Sequence, residues 1–162
     1  EEIPHESVVS APADPKIRSH AHQKQPVCVM VSPDHPLARH EGPIPLKGLD
    51  GYRLGLLGVS YGIRQILTQA EQQSGVSLMP TLTCNTFAML KRFAMKGGVT
   101  LLPTFVVVDE LESGKLVALP LESPVFSESQ VHIISRLGRQ LSVGSSLLLG
   151  QLQQYMTAFN GR

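Results

Sequence analysis

From residue 52 onward the chain alternates stretches that read as strand with stretches that read as helix, and each change is marked by a turn or cap residue. Residues 52–57 form an apolar run ended by Gly58. Residues 62–74 follow with Ile63, Ile66, Leu67 and Ala70 at i, i+3, i+4 and i+7, the spacing of an amphipathic helix, and Gly75 suits its C-terminal end. The pattern repeats with a strand over 77–83 and a helix over 87–96, for which Asn85 or Thr86 is a suitable N-cap. Gly97-Gly98 stops that helix, and 99–102 is again a buried strand. Pro103 then opens a helix through Leu111, which Gly114 ends. Strands over 115–121 and 130–136 and a helix over 141–159, capped by Ser142, complete the chain. Such alternation predicts an α/β domain with a largely parallel sheet.

Upstream of residue 52 the most directive stretch is Val27-Cys28-Val29-Met30-Val31, a β-branched strand that runs into Ser32-Pro33-Asp34-His35-Pro36-Leu37-Ala38. Pro33 and Pro36 lack a backbone donor and fix φ, so neither sheet nor helix continues there, and they push Ser32 and His35 out of the helical region. Residues 1–25 are polar and Pro-rich and predict loop with at most one short strand near Ile17; a short helical turn is expected at 46–49.

With 162 residues, 42% hydrophobic and 17% charged, the chain has the balance of a globular protein that buries a true core. It has no Trp, so that core must be mostly aliphatic. The formal charge is +1, and Arg53, Arg64, Lys91 and Arg92 are scattered as on solvated faces, which argues against nucleic-acid binding by this chain. Cys28 and Cys84 are far apart in apolar company and read as small core residues, not as a disulfide or zinc site. His20 and His22 read as a surface pair without a third metal ligand. No apolar run reaches the roughly 20 residues of a membrane span, and the opening Glu1-Glu2 has no signal-peptide character.

The chemistry of such a fold is expected where the strands' carboxyl ends feed the helices. Three helix N-termini are expected there, after Ser60, after Thr86 and after Pro103. Their free N–H groups and positive dipole ends suit a carboxylate, phosphate or sulfate. Ser60, Thr86 and Thr104 add hydroxyls. Gly58-Val59-Ser60-Tyr61-Gly62 also fits the G-x-S-x-G pattern of a nucleophile elbow. Asp109 and His132 are the only candidate partners for a serine hydrolase. His132, however, sits within an apolar strand, and no glycine-rich oxyanion segment precedes Ser60.

Taken in order, these residues resemble a known family. Ser32-Pro33-Asp34-His35-Pro36-Leu37-Ala38 is similar to the V-x-P-x-H-P-L-A signature in the C-terminal effector-binding domain of LysR-type transcriptional regulators. Pro45-Leu46-Lys47-Gly48-Leu49, Gly98-Val99-Thr100-Leu101-Leu102-Pro103, the run from Asp109 to Leu121, and Leu141-Ser142 resemble further family elements in the same order. The resemblance spans residues 15–158.

It implies a periplasmic-binding-protein-like (type II) α/β domain of two lobes, with the effector in the cleft between them. Residues 1–32 would be a remnant of lobe one with a hinge strand. Residues 33–131 would be lobe two, and 132–162 the return hinge strand and C-terminal helix. Lobe one is expected to be incomplete. By resemblance the effector residues are Val59, Ser60 and Tyr61 from one loop, Cys84, Asn85 and Thr86 from a second, Pro103, Thr104 and Phe105 from a third, and His132 with Ile133 from the return strand. Ser60 and Thr86 would donate to an anionic effector, while Pro103, Thr104 and Phe105 form a wall. The implied protein is cytoplasmic, has no catalysis and no cofactor, self-associates as a dimer or tetramer, and meets DNA only through a separate winged helix-turn-helix domain. An extracytoplasmic solute-binding protein of similar architecture is the alternative binding class.

Overall fold

The structure, a computed structural model, describes residues 15–138 and 141–158. The Pro-rich start through Pro12 and the expected helix end at Phe159 lie outside the described residues. In chain order the strands are β1 (Ile17–Lys24), β2 (Val27–Val31), β3 (Leu54–Leu57), β4 (Leu82–Cys84), β5 (Val99–Pro103), β6 (Val117–Leu119) and β7 (Gln130–Arg136). The helices are α1 (Gly62–Ser74), α2 (Phe87–Met95), α3 (Val108–Glu112), α4 (Pro124–Ser127) and α5 (Val143–Ala158). The chain divides into two compact units, one of Glu1–Gln25 with Gln130–Arg162 and one of Pro26–Ser129.

The larger unit is built on a five-stranded sheet in the order β4-β3-β5-β2-β6. β3 pairs in parallel with β4 and with β5, while β2 pairs antiparallel with β5 and with β6. β3, β4, β5 and β6 therefore share one direction and β2 opposes it, so the sheet is mixed, with most of its strands running one way as expected. α1 and α2 serve as the crossovers that force β3, β4 and β5 to run together. β2 leaves instead through a long loop with two 3-10 turns, so nothing ties its direction to theirs.

The core is aliphatic, as the absence of Trp requires. Met30, Leu57, Leu90, Ala94, Leu102, Val107 and Leu116 pack into one buried cluster, with Cys28 and Cys84 half-buried against it. Both thiols are free, and burial pushes the Cys28 thiol above its ordinary range. Phe126, from the short α4 that no sequence pattern announces, is fully buried.

The Pro-bracketed segment forms a 3-10 turn over Pro36–Arg39. Its cap is His35, whose Nδ1 accepts the Leu37 N–H at 3.2 Å and whose ring lies 5.0 Å from that of Tyr52. Burial lowers the imidazole pKa, which keeps the ring neutral and able to accept. His35 is thus a structural residue.

Two adjacent glycines end α2 for different reasons. Gly97 takes φ +83°, the left-handed conformation that closes the helix. Gly98 lies under the Phe93 ring, where a Cβ would overlap the ring edge.

In the smaller unit β1 pairs antiparallel with β7, from Ile17 opposite Arg136 to Lys24 opposite Gln130, with an irregularity between Ser19 and Ala21. The eight residues of β1 exceed the short strand expected near Ile17. Only Gln23 among them is buried, so the long pairing with β7 replaces the missing apolar signal. α5 packs on both strands, and Gln153 donates to the His20 carbonyl at 3.2 Å. Ser142 caps it, its Oγ accepting the Ser145 N–H at 3.2 Å.

Candidate functional site

β3, β4 and β5 are parallel, so the turns that follow them emerge at one edge of the sheet. The first turn runs from Gly58 to Tyr61. Val59 is 79% exposed and Ser60 is exposed, while Tyr61 is half-buried and occupies the N-cap position of α1 in extended conformation. Tyr61 makes no side-chain cap; its hydroxyl instead donates to the Asn85 carbonyl at 2.7 Å. The Gly58 N–H donates to the Cys84 carbonyl at 3.0 Å. The first two turns are therefore fastened together by one backbone and one side-chain bond.

In the second turn Asn85 is exposed and Thr86 caps α2, with its Oγ1 accepting the Met89 N–H at 3.4 Å. A hydroxyl that accepts through a lone pair keeps its own proton to donate. Capping and ligand binding by Thr86 are compatible for that reason. Ser60 precedes the N-cap of α1 and leaves the first N–H groups of that helix uncovered by a side-chain cap.

The third turn departs from expectation. Pro103 is not the first residue of a helix; it is the buried last residue of β5, opposite Val27. Thr104 and Phe105, both half-buried, lie in a 3-10 turn over Thr104–Val106, and Val107 breaks it from the five-residue α3. Three consecutive valines, Val106-Val107-Val108, resist a continuous helix because each loses χ1 freedom there. The Val106 carbonyl accepts from Lys91 Nζ at 3.2 Å. Two long helix N-termini thus reach this edge, those of α1 and α2.

Lys91, expected on a solvated face, also pairs with Glu110 at 2.8 Å and ties α2 to the third turn. The hydrogen bond from Lys91 holds the Glu110 carboxyl below its ordinary pKa. Arg53 likewise has a partner, lying 5.3 Å from the centre of the Phe93 ring. Sequence reasoning misses the pairing of Lys91 with Glu110, because the two are 19 residues apart (110 − 91) and no local spacing links them.

His132 and Ile133 lie in β7 of the other unit. His132 is opposite His22 on β1, with the rings stacked at 5.7 Å, and neither buried ring nitrogen of His132 has a hydrogen-bond partner among the described residues. His20, half-buried, bonds Ser135 Oγ at 2.7 Å. Among the described residues no three His, Cys, Asp or Glu side chains come together to hold a metal ion, and no helix is long and apolar enough to cross a membrane.

An α/β unit with its polar turns gathered at one sheet edge is a binding architecture, and the comparisons with known proteins narrow its class. Residues 8–157 match the family described as the LysR substrate binding domain, and the chain belongs to that family. It is 29% identical over 140 residues to the SDS degradation transcriptional activation protein of Pseudomonas sp. (strain ATCC 19151). That match covers 85% of this chain and 45% of the relative, so the chain spans less than half of that protein.

Among solved structures, the effector binding domain of QuiR in complex with shikimate superposes with a TM-score of 0.72 at 16% identity, covering 92% of this chain and 69% of that one. The regulatory domain of Synechocystis PCC6803 CcmR in complex with 2-PG gives 0.69 at 20% identity, covering 96% and 72%. The fold is accordingly the periplasmic-binding-protein-like type II fold of LysR effector-binding domains. Such domains belong to transcriptional regulators and not to enzymes, which sets aside both the Ser60 hydrolase and the solute-binding alternative.

Proposed function

We propose that this chain is the effector-sensing part of a LysR-type transcriptional regulator, and that it takes a small anionic metabolite at the edge formed by the turns after β3, β4 and β5. In this reading Ser60 and Thr86 donate to the anionic group, together with the first N–H groups of α1 and α2. Val59, Tyr61 and Asn85 border the ligand, and Pro103, Thr104 and Phe105 form its apolar wall. The observation that carries the reading is the Tyr61–Asn85 bond at 2.7 Å, which holds two helix N-termini side by side with exposed polar groups between them.

A small-molecule effector is supported by the shikimate and 2-PG held by the two solved neighbours. Regulation of transcription is supported by the activator that this chain resembles. In the whole regulator, a separate winged helix-turn-helix domain would contact DNA in the cytoplasm, and the protein would self-associate as a dimer or tetramer. Effector binding then biases the populations of conformations that the DNA-binding domains report.

A thermal-shift screen of this chain against small carboxylates, phosphates and sulfates tests the proposal. A stabilising anion whose effect shrinks in both Ser60→Ala and Thr86→Val supports it. A stabilising anion indifferent to both substitutions contradicts it.

A further inference from the structure

Of the four basic side chains expected on solvated faces, three are accounted for. Arg53 stacks on Phe93, Lys91 pairs with Glu110, and Arg92 lies in the last turn of α2, where a cation suits the helix dipole. Arg64 is the exception. It is half-buried, its Nη1 is fully buried without a hydrogen-bond partner, and no ion pair holds it among the described residues. The unit that contains it, Pro26–Ser129, is described from end to end.

Its position is also an adverse one for a cation. Arg64 is the third residue of the thirteen-residue α1, whose first turn holds no acidic side chain, so its charge opposes the positive end of the helix dipole. A buried guanidinium nitrogen without a partner adds a second unfavourable contribution. Where two local rules are broken at one residue without a compensating bond, function is the common reason.

Side chains of a helix lean toward its N-terminus, so that of Arg64 lies toward the preceding turn, residues 58–61. There Tyr61 gives no side-chain cap, and the Arg64 N–H closes on the Tyr61 carbonyl at 2.9 Å. The N–H groups left open are those of Gly62 and Ile63. Two open N–H groups beside a guanidinium without an ion pair complement an oxyanion that has at least two terminal oxygens.

We propose that Arg64 is a specificity-determining residue of the effector site. Its guanidinium takes one oxygen of a carboxylate, sulfate or phosphate group whose second oxygen meets the Gly62 and Ile63 N–H groups. The proposal rests on the effector reading above and narrows it, since a neutral ligand or a monatomic anion leaves either the guanidinium or the helix end unanswered.

The test is a titration of the chain with sodium sulfate in NMR, with sodium chloride at equal ionic strength as the control, alongside thermal unfolding without sulfate. The Arg64 side-chain Nε–Hε signal should shift and saturate with the same dissociation constant as the Gly62 and Ile63 amides. Arg64→Gln should weaken sulfate binding about tenfold, and Arg64→Lys, which keeps the charge without the fork, about threefold. Without sulfate, Arg64→Gln should leave the Tm unchanged or raise it by about 1–3 °C, because it removes a charge that opposes the dipole. A structural arginine does the reverse, so a lower Tm on Arg64→Gln overturns the proposal. Equal shifts from chloride also overturn it. Saturable binding at the Gly62 and Thr86 amides that Arg64→Gln leaves at full strength overturns it too, while sparing the effector reading. Absence of saturable shifts at both turns overturns the proposal as well, and the effector reading then stands or falls with the screen of anions described for it.

Discussion

Replacing Gly98 by Ala should destabilise the larger unit by about 3 kcal/mol, although alanine is ordinarily the better residue in a strand's approach. The backbone at Gly98 does not have positive φ, so the cost is steric. The new methyl would overlap the Cδ1–Cε1 edge of the Phe93 ring. The same edge also rests on Gly55, where a Cβ would come within 2.8 Å of Phe93 Cδ1, so the ring is seated on two glycines that leave it room only as glycines. Phe93 must therefore leave its seat. Overpacking of this kind costs about 1–3 kcal/mol, and losing the Arg53 stacking at 5.3 Å adds about 0.5–1 kcal/mol. For a chain of this length that corresponds to a Tm lower by about 10 °C.

Urea unfolding followed by circular dichroism measures the effect, with an unchanged m-value showing that the same surface is exposed. The sharper result is the double-mutant cycle. In a Phe93→Ala background the Gly98→Ala cost should fall below about 1 kcal/mol, because the clash has lost its partner. A Gly98→Ala cost under about 0.5 kcal/mol, or one that persists undiminished without Phe93, refutes the steric reasoning.

Three further outcomes follow from the same structure. His35 has its pKa lowered by burial, so its contribution is full above the ordinary value of 6.5 and is lost as pH falls below it. His35→Asn should cost about 1–2 kcal/mol at about pH 7.5 and proportionately less at about pH 5, measured as Tm against pH for both proteins. Glu110 has its pKa lowered chiefly by the Lys91 hydrogen bond, so that pair stabilises above about pH 4.5 and fades as pH falls through the lowered folded value. Lys91→Met should cost about 1–2 kcal/mol at about pH 7, with the gap to the parent closing below about pH 4, as acid unfolding would show. Thr86→Ala should lose about 1 kcal/mol with its N-cap, and Thr86→Ser should restore most of it in the same urea assay.

The parts of this fold that are legible in the sequence are those with a strong local signal. α1 starts at Gly62 and ends at Ser74 as its apolar spacing requires, with Gly75 left-handed at φ +66°, and β7 spans 130–136 as expected. β1 is largely hidden because an exposed, polar strand has no alternation to show; only its pairing with β7 reveals it. The direction of β2 is hidden because direction is a property of the connection, not of the strand. The broken third helix is foreshadowed by Val106-Val107-Val108, but a proline that suits a helix start is the stronger local signal, and Pro103 points the other way.

Of the candidate site, the residue types are visible in the sequence and their fastening is not. Ser60, Asn85 and Thr86 announce themselves as turn and cap residues. That the Tyr61 side chain reaches the Asn85 carbonyl from the N-cap position depends on a rotamer, and rotamers answer to tertiary neighbours. Gly97 and Gly98 show the same limit on a smaller scale. Both read as helix stops, yet Gly98 is needed for a phenyl ring five residues back.

The most direct measurement is an amide-resolved NMR titration of this chain with an anion that stabilises it. If the turns after β3 and β4 form the effector site, the largest shifts fall at Ser60, Gly62 and Ile63 and at Thr86, Phe87 and Ala88, and they saturate together with one dissociation constant. If those amides stay in place while others move, the assignment of the effector to this edge of the sheet is wrong.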